Sequence, residues 1–530
     1  MQPSPSSSYD RVPYPSNPFP QTHPDRLATV ATLYGMNPAP PPVETARVLE
    51  IGCAQADNLI PLALQHPHAR LMGIDASGVQ IATGMATVRE LQLTNLELHH
   101  MNLMQFPPTL GGFDYIICHG VYSWVPDPVR DGILGLIRRH LNPNGIAYVS
   151  YNTYPGWRLL GAVRDILLYD TREIDDPDAK AQRARETIQF LLEAVPEDDT
   201  LRAIVKSVSG AFTSPDHRPY VLHEYFEATN EPVYFHQFAA RAGEHGLQFL
   251  SEAALEDMQT HRLPPAAQAA IKALDSQPLE RQQYLDFIRC RPFRQTLLCH
   301  AGVEIDRALR RERLESLYFA SGATPTEPDD NPSSRDFMTF RGENGGELRT
   351  NHPLTKASMV HLRDAWPQAV RFDALEVVAR ARSSSTPITV HNPADFEREH
   401  GEWLDNLLQL VGTGLIEAHV APPRLTTEVS LRPTASLWAR RQAAQGRPLT
   451  NLRHCVIATD DVQRRIVTLL DGTRTPAEVL DALLAYVETE RLVIVHEGRK
   501  LGDRAEIRRV LAGGLPQELK AAARKALLIA

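Results

Sequence analysis

From Ala46 to Asn152, short apolar runs alternate with amphipathic segments, and this alternation constrains the fold more than any other feature. The runs are RVLEIG (47–52), RLMGID (70–75), LELHHM (96–101), FDYIICH (113–119) and GIAYVSYN (145–152), with helix-like stretches at about 57–66, 78–92 and 128–141. Strands that read as continuous apolar runs are buried on both faces, so the spacing predicts an α/β parallel sheet covered by helices. Such a sheet takes its ligand at the carboxyl ends of its strands.

The first of those ends carries the strongest chemical signal, VLEIGCAQADNL (48–59). A strand bearing Glu50 stops at Gly52, and a turn of small residues, Cys53 and Ala54 among them, leads through Asp57 and Asn58 into a helix. There the backbone can approach a ligand, and the helix start offers free N–H groups. Asp75 closes the second strand 23 residues after Gly52, followed by Ala76, where an acid can accept hydrogen bonds from both hydroxyls of a ribose. Taken singly, Glu50 and Asp75 also read as turn and helix caps, but that does not account for their joint spacing. A nicotinamide dinucleotide would want G-x-G-x-x-G, whereas the positions here read Gly52, Ala54 and Asp57. The acid at the third position repels phosphate. S-adenosylmethionine (AdoMet) has no phosphate and carries a sulfonium and an ammonium, so the charge pattern favours it.

The balance of 64 acidic against 55 basic residues, net −9, argues against a general nucleic-acid binder. Five scattered cysteines with no CxxC pair suggest neither a metal site nor a disulfide framework, and a reducing, cytoplasmic location is expected. Cys53 and Cys118 read as small buried hydrophobes at strand ends. The first residues have no signal-peptide core, and no run reaches the ~18 apolar residues of a membrane span.

Beyond Trp157 the pattern turns helical through about residue 230; FHQFAARAGEHGLQFL (235–250) then reads as helix and strand, and RQTLLCH (294–300) as a further strand. These can complete the sheet around a helical insertion at 158–230. Residues 321–336 read as a linker or long loop, and Arg307, Arg310, Arg311 and Arg313 as a solvated helix face. Two similar winged-helix-like units follow, one with a helix running through Gly412 and Gly414 into a strand. In the other, Thr475 caps a helix with Pro476 at its first position. The expected organisation is an arm and cofactor-covering helix (1–45), a cofactor-binding core (46–157), a helical insertion and regulatory region with the end of the sheet (158–303), and two winged-helix-like α+β modules (304–425 and 426–530).

The run from Arg47 to Tyr151 resembles a class I AdoMet-dependent methyltransferase of Rossmann-like fold. Its first motif falls at Glu50-Ile51-Gly52-Cys53-Ala54, its ribose acid at Asp75, its adenine-contacting position at Asn102-Leu103 and its fourth-strand end at Cys118-His119-Gly120. More narrowly, YPSNPFPQTHPDRLAT (14–29), HGVYSWVPD (119–127), SYNTYPGW (150–157), HEYFEATNEPVYFHQF (223–238), YLDFIRCRPFRQTLLCH (284–300) and TNLRH (450–454) resemble bacterial methyltransferases with a methyltransferase regulatory domain. That group includes protein-lysine methyltransferases of outer-membrane proteins. The resemblance implies AdoMet as cofactor, no metal, and a protein lysine as acceptor. The family commonly has glycine where Ala54 stands, and a non-glycine residue there resists a positive φ.

Acceptor contacts are expected in the loops after the fourth and fifth strands, from Tyr122, Trp124, Tyr151, Asn152 and Trp157, with Tyr154 nearby. Such aromatics serve as readily as packing anchors. His119 could orient cofactor or substrate, or cap. Gln21, Thr22 and His23 could fold over the methionine end of the cofactor, or start the helix at Pro24. His223-Glu224-Tyr225 could touch substrate, or be a surface helix cap. A small-molecule acceptor, and a non-enzymatic interaction protein on a degenerate fold, are the competing readings; Ala54 and Ala56 keep the last one open.

Overall fold

The computed structural model describes residues 8–14, 16–214, 217–327, 331–343, 345–383, 393–489, 494–496 and 499–529. Seven strands form the central sheet: β1 (Arg47–Ile51), β2 (Arg70–Asp75), β3 (Leu96–His100), β4 (Phe113–Cys118), β5 (Leu141–Asn152), β6 (Leu247–Glu252) and β7 (Phe293–His300). Their order is β3-β2-β1-β4-β5-β7-β6. β1 to β5 are parallel, and β7 runs antiparallel to both of its neighbours. The chain reverses direction across the sheet between β1 and β4, so the loops after these strands diverge and open a crevice at their carboxyl ends.

Among the described residues five α-helices precede β5: α1 (Ser8–Arg11), α2 (Pro24–Leu33), α3 (Leu59–Gln65), α4 (Gly78–Glu90) and α5 (Asp127–His140), the last leading directly into it. Leu59, Ile60 and Leu62 of α3 pack with Val48, Tyr115 and Tyr148 on one sheet face; Ile133, Leu134 and Ile137 of α5 pack with Leu49, Ile116 and Val149 on the other. Facing side chains therefore alternate along each strand while both faces stay apolar, which is why the strands read as unbroken hydrophobic runs.

Between β5 and β6 come α6 (Gly156–Asp170), α7 (Pro177–Ala194), α8 (Thr200–Val208), α9 (Arg218–Phe226) and α10 (Phe235–Glu244). α6 to α9 bury their own small core of Val163, Ile188, Val205 and Val221. α11 (Pro265–Lys272) and α12 (Pro278–Arg289) lead into β7. Then α13 (Pro353–Ala365), α14 (Phe372–Ser383) and α15 (Pro393–Gly412) pack with a three-stranded sheet of Val370–Arg371, Tyr318–Ala320 and Glu417–His419. Their core is continuous with the α2–α3 face of the main sheet. The last helices, α16 (Leu437–Ala444), α17 (Asp461–Leu469), α18 (Pro476–Glu488) and α19 (Arg504–Arg524), enclose a separate core. Thr475 and Glu478 form a reciprocal capping box at the start of α18.

One expectation needs correction. The arginines from 307 to 313 do not share a helix face. Arg307 donates to the carbonyls of Leu250 (2.9 Å) and Phe249, and Arg313 to that of Leu33 (2.7 Å) at the end of α2. A guanidinium fork satisfies carbonyls that strand and helix ends leave open, so these two fasten the following region to the sheet domain. Arg310 and Arg313 both pair with Asp306 (2.5 and 2.6 Å), and Arg311 pairs with Asp405 (2.8 Å) at the surface. The 321–336 stretch is a long loop tied down at two points: Thr324–Pro325 pairs with Met338–Arg341, and the buried Lys356 Nζ donates to the carbonyls of Ser334 (2.6 Å) and Asp336 (3.0 Å). Residues 328–330 of that stretch lie outside the described residues.

Candidate active site

The turn after β1 is wound tightly by positive φ angles at Gly52 (76°), Ala54 (48°) and Ala56 (66°). A Cβ on Gly52 would stand 2.4 Å from Val121 Cγ2, so space as well as backbone requires glycine. Ala54 tolerates the left-handed conformation because its N–H is held by Asp75 Oδ2 (2.9 Å), while Asp75 Oδ1 accepts from Ser77 N (2.8 Å). A left-handed alanine costs roughly 1–2 kcal/mol. Glycine would relieve most of that, less its greater unfolded-state entropy. Ala54→Gly is therefore expected to stabilise the free protein by about 0.5–1 kcal/mol, read as a raised thermal midpoint.

Glu50 is buried beneath the turn. Its Oε1 accepts from Asn58 Nδ2 (2.8 Å), and its Oε2 has no partner among the described residues. Burial pushes its carboxyl up to about 8, with the Asn58 hydrogen bond opposing. Asn58 is a junction: its Oδ1 accepts from Phe19 N (2.9 Å), and His454 Nε2 lies 2.7 Å away. Asn58 Nδ2 is given to Glu50 and to Thr22 Oγ1 (3.0 Å), so the Oδ1 accepts and His454 carries its proton on Nε2. Burial holds the His454 imidazole down to about 3, hence neutral. Asp57 faces away from the cleft and pairs with Arg447. The C-terminal unit thus grips the helix start that follows the turn.

One cavity of about 680 Å³ runs from this turn to the regulatory helices. On its sheet side stand Glu50, Gly52, Cys53, Ala54, Asn58, Asp75, Ala76, Asn102, Leu103 and His119, and beyond them Trp124, Asn152 and Trp157. Asn102 caps the turn after β3, its Oδ1 accepting from Met104 N (3.0 Å). His119 is wedged against Phe19 (ring centroids 3.8 Å apart) with Nδ1 2.9 Å from the Tyr148 hydroxyl, and burial lowers it to about 4. Asn152 is fixed by its N–H to Ser123 Oγ (2.8 Å) and its Nδ2 to Asn230 Oδ1 (3.1 Å).

Other sequence candidates stand elsewhere. Tyr122 and Tyr151 are absent from the wall: both rings lie in the core under the cavity against Phe238, and the Tyr151 hydroxyl meets Thr296 Oγ1 at 3.0 Å. Gln21, Thr22 and His23 are not among the residues of the cavity wall, and Thr22 Oγ1 accepts from Asn58 Nδ2 (3.0 Å). His23 caps α2 by accepting from Asp25 N (3.2 Å), its ring 5.4 Å from that of His454. The stretch of the arm that does reach the cavity is Tyr14, Ser16, Asn17 and Phe19. It lies beside the turn, where Ser16 Oγ accepts from Asp57 N (3.2 Å), and the cavity wall also includes Tyr220, His223 and Glu224 of α9 and Pro292-Phe293 at the start of β7. The arm residues fall in the YPSNPF run (14–19), Pro292-Phe293 in YLDFIRCRPFRQTLLCH (284–300), and His223-Glu224 in HEYFEATNEP (223–232), where a substrate contact or a helix cap is expected; Tyr220 lies in none of these runs.

A model of a methyltransferase domain matches residues 48–145, a predicted methyltransferase regulatory domain matches 217–300, and the C-terminal winged helix domain of PKMT matches 432–527. An uncharacterised protein of Rickettsia prowazekii (strain Madrid E) is 32% identical over 519 residues, covering 95% of this chain and 90% of its own. The chain belongs to the class I methyltransferases that combine these domains. A second R. prowazekii protein is 38% identical to the methyltransferase over 235 residues, covering 44% of this chain and 93% of its own. PKMT2 from Rickettsia typhi, solved alone and in complex with AdoHcy, superposes with a TM-score of 0.87 at 28% identity, covering 98% of this chain and all of that one. The sheet order and C-terminal winged helix are those of this architecture. Among the described residues no helix is long and apolar enough to cross a membrane.

Proposed function

We propose that this methyltransferase moves the methyl group of AdoMet to lysine side chains of protein substrates, outer-membrane proteins among them. The observation that carries the cofactor assignment is the buried, unpartnered Glu50 Oε2 in the cavity wall, a site for the ammonium of the methionine moiety. Asp75 retains free lone pairs for the ribose hydroxyls beside its two backbone bonds, and Asn102 and Leu103 flank the adenine position. AdoMet supplies a methyl made electrophilic by its sulfonium. The protein supplies alignment and exclusion of water, with Trp124, Asn152 and Trp157 as the acceptor-side wall. A lysine acceptor is supported by the likeness to R. typhi PKMT2 and by accessory domains too large for a metabolite's needs.

With the methyl group of AdoMet radiolabelled, the protein is expected to label polypeptides in a bacterial outer-membrane extract. Acid hydrolysis should return the label as methyl-lysine. Label confined to small soluble compounds would reject the protein-acceptor reading.

Glu50 adds a pH dependence of defined sign. Below about 8 its carboxyl is protonated in the free protein, and an ammonium at Oε2 requires the ionised form. AdoMet binding at pH 7 should therefore release up to one proton, and affinity should fall as pH drops below about 8. Free-protein stability runs the other way: the folded state holds this proton more tightly than the unfolded state, so stability declines as pH rises from the ordinary carboxyl range toward 8. Calorimetry in two buffers of different ionisation enthalpy measures the release, and Glu50→Gln should abolish it.

A further inference from the structure

Three carboxylates line the cavity, Glu50, Asp75 and Glu224, and no lysine or arginine does so among the described residues. The first two belong to the strand ends of the cofactor turn. The third comes from α9, in the segment matched by the regulatory domain, and lines the cavity together with Tyr14 of the arm and Tyr220 of the same helix. AdoMet accounts for two positive groups on the turn side. A separate acid on another element of the same cavity, with no lysine or arginine in the lining among the described residues, suits a second cationic ligand.

The surroundings of Glu224 sharpen this. Tyr14 of the arm and Tyr220 and Tyr225 of its own helix feel its charge, after burial, as raised phenol pKa values. Its other charged neighbours are committed elsewhere. His223 contacts the Val12 carbonyl (2.7 Å) and Glu227 (2.6 Å), Arg164 of α6 donates to the Glu227 carbonyl (2.5 Å), and Lys180 of α7 lies over the Phe226 ring. Among the described residues Glu224 itself has no hydrogen-bond or ion-pair partner. A carboxylate without a paired cation, in a cavity wall that it shares with Tyr14 and Tyr220, makes a seat for an alkylammonium.

Resting on the reading of lysine as acceptor, we propose that Glu224 is a catalytic residue, the base that receives the lysine ammonium and takes its proton. The proton passes from Nζ to a Glu224 carboxylate oxygen. The freed lone pair on Nζ forms the new N–C bond as the C–S bond breaks, and the electron pair of that bond leaves on sulfur, which becomes a neutral thioether. The methylated nitrogen is then an alkylammonium, and Glu224 returns its proton to water before the next turnover. Burial holds the Glu224 carboxyl at about 7, so near neutrality it is partly ionised and closer to lysine than an ordinary carboxyl.

The test uses the full chain, labelled AdoMet and an outer-membrane protein extract, with methyl-lysine formation measured from pH 6 to 10.5. Glu224→Gln is expected to lower kcat/KM at pH 7 on the order of a hundredfold and to remove the wild-type inflection near 7. Its rate should climb toward wild type above pH 10, where lysine sheds its own proton, and AdoMet affinity by calorimetry should stay within about twofold. Glu224→Asp should keep the inflection at a reduced rate, and it decides the matter if circular dichroism shows the glutamine variant unfolded. Loss of rate by the same factor at every pH, or an unaltered rate and profile, would overturn the assignment of Glu224 alone. A wild-type chain that labels no lysine would bring down the acceptor reading, and the base with it.

Discussion

Asp75→Ala is expected to weaken AdoMet and AdoHcy binding by a factor of 10² to 10⁴ while leaving the sheet folded. Hydrogen bonds to a charged acceptor contribute roughly 1.5–3 kcal/mol each, and a ribose diol offers two, so about 3–6 kcal/mol is at stake. The side chain also has a structural duty. It accepts from Ala54 N and Ser77 N, thereby fixing the left-handed Ala54 and the start of α4. Alanine removes both anchors, so the turn opens as the cofactor contact is lost. Asp75→Asn keeps the shape and one carbonyl acceptor, and should fall between wild type and alanine. A cofactor analogue lacking the ribose 2′-hydroxyl separates the two roles. If Asp75 contacts that hydroxyl, the losses from the mutation and from the analogue are less than additive; full additivity would mean the acid serves the turn alone. Calorimetry on the four combinations makes the measurement.

Much of this site was legible because the sheet is parallel and central. Buried strands leave unbroken apolar runs, and the ends of β1 and β2 are where the chain must expose polar groups, so Glu50, Gly52 and Asp75 stand out. Tyr122 and Tyr151 were less readable, since residue type does not reveal face. Along β5, Tyr151 points from the sheet face opposite Ser150 and Asn152, and its ring joins the α5–α10 side of the core. The arm was less readable still. Tyr14 and Phe19 reach the cavity through contacts with α9 and with Asn58 at distant sequence positions, which no local periodicity encodes. His454 illustrates the limit: its partner Asn58 lies 396 residues away in another domain.

The winged helix is consequently more than an appendage. Arg447 holds Asp57, His454 holds Asn58, and Arg441 holds Glu90 at the end of α4 (2.9 Å), so one domain braces the helices that follow β1 and β2. Asn58 in turn presents its amide to Glu50. Two hydrogen bonds, from His454 to Asn58 and from Asn58 to Glu50, therefore connect the C-terminal domain to the carboxylate proposed to meet the cofactor ammonium.

At the other end of the sheet, Arg294→Met should be among the most destabilising single substitutions in this chain, by about 3–5 kcal/mol. Arg294 is 1% exposed and makes a bidentate pair with Asp286 (2.7 and 2.8 Å) and a third bond to Glu252 (2.5 Å), its guanidinium 3.9 Å above the Phe235 ring. These demands invert α12: Gln282, Gln283 and Asp286 face inward, while Tyr284, Phe287 and Ile288 are exposed. With Arg294 gone, Arg291 (3.0 Å from Asp286, 3.8 Å from Glu252) is left as the ion-pair partner of two buried carboxylates. Burial already raises the Asp286 carboxyl, and losing the arginine raises it further. The deficit should therefore shrink as pH falls and a carboxylate takes up a proton, and Arg294→Met with Asp286→Asn should recover part of it. Thermal unfolding would read the change as a drop on the order of 10 °C, and hydrogen exchange in β7 and α12 would locate it. Phe293 and Pro292 line the cavity one and two residues from Arg294, so turnover should fall with stability while the β1–β2 turn still binds AdoMet. A deficit that does not change with pH, or a double variant whose losses simply add, would mean that the arginine contributes packing rather than charge.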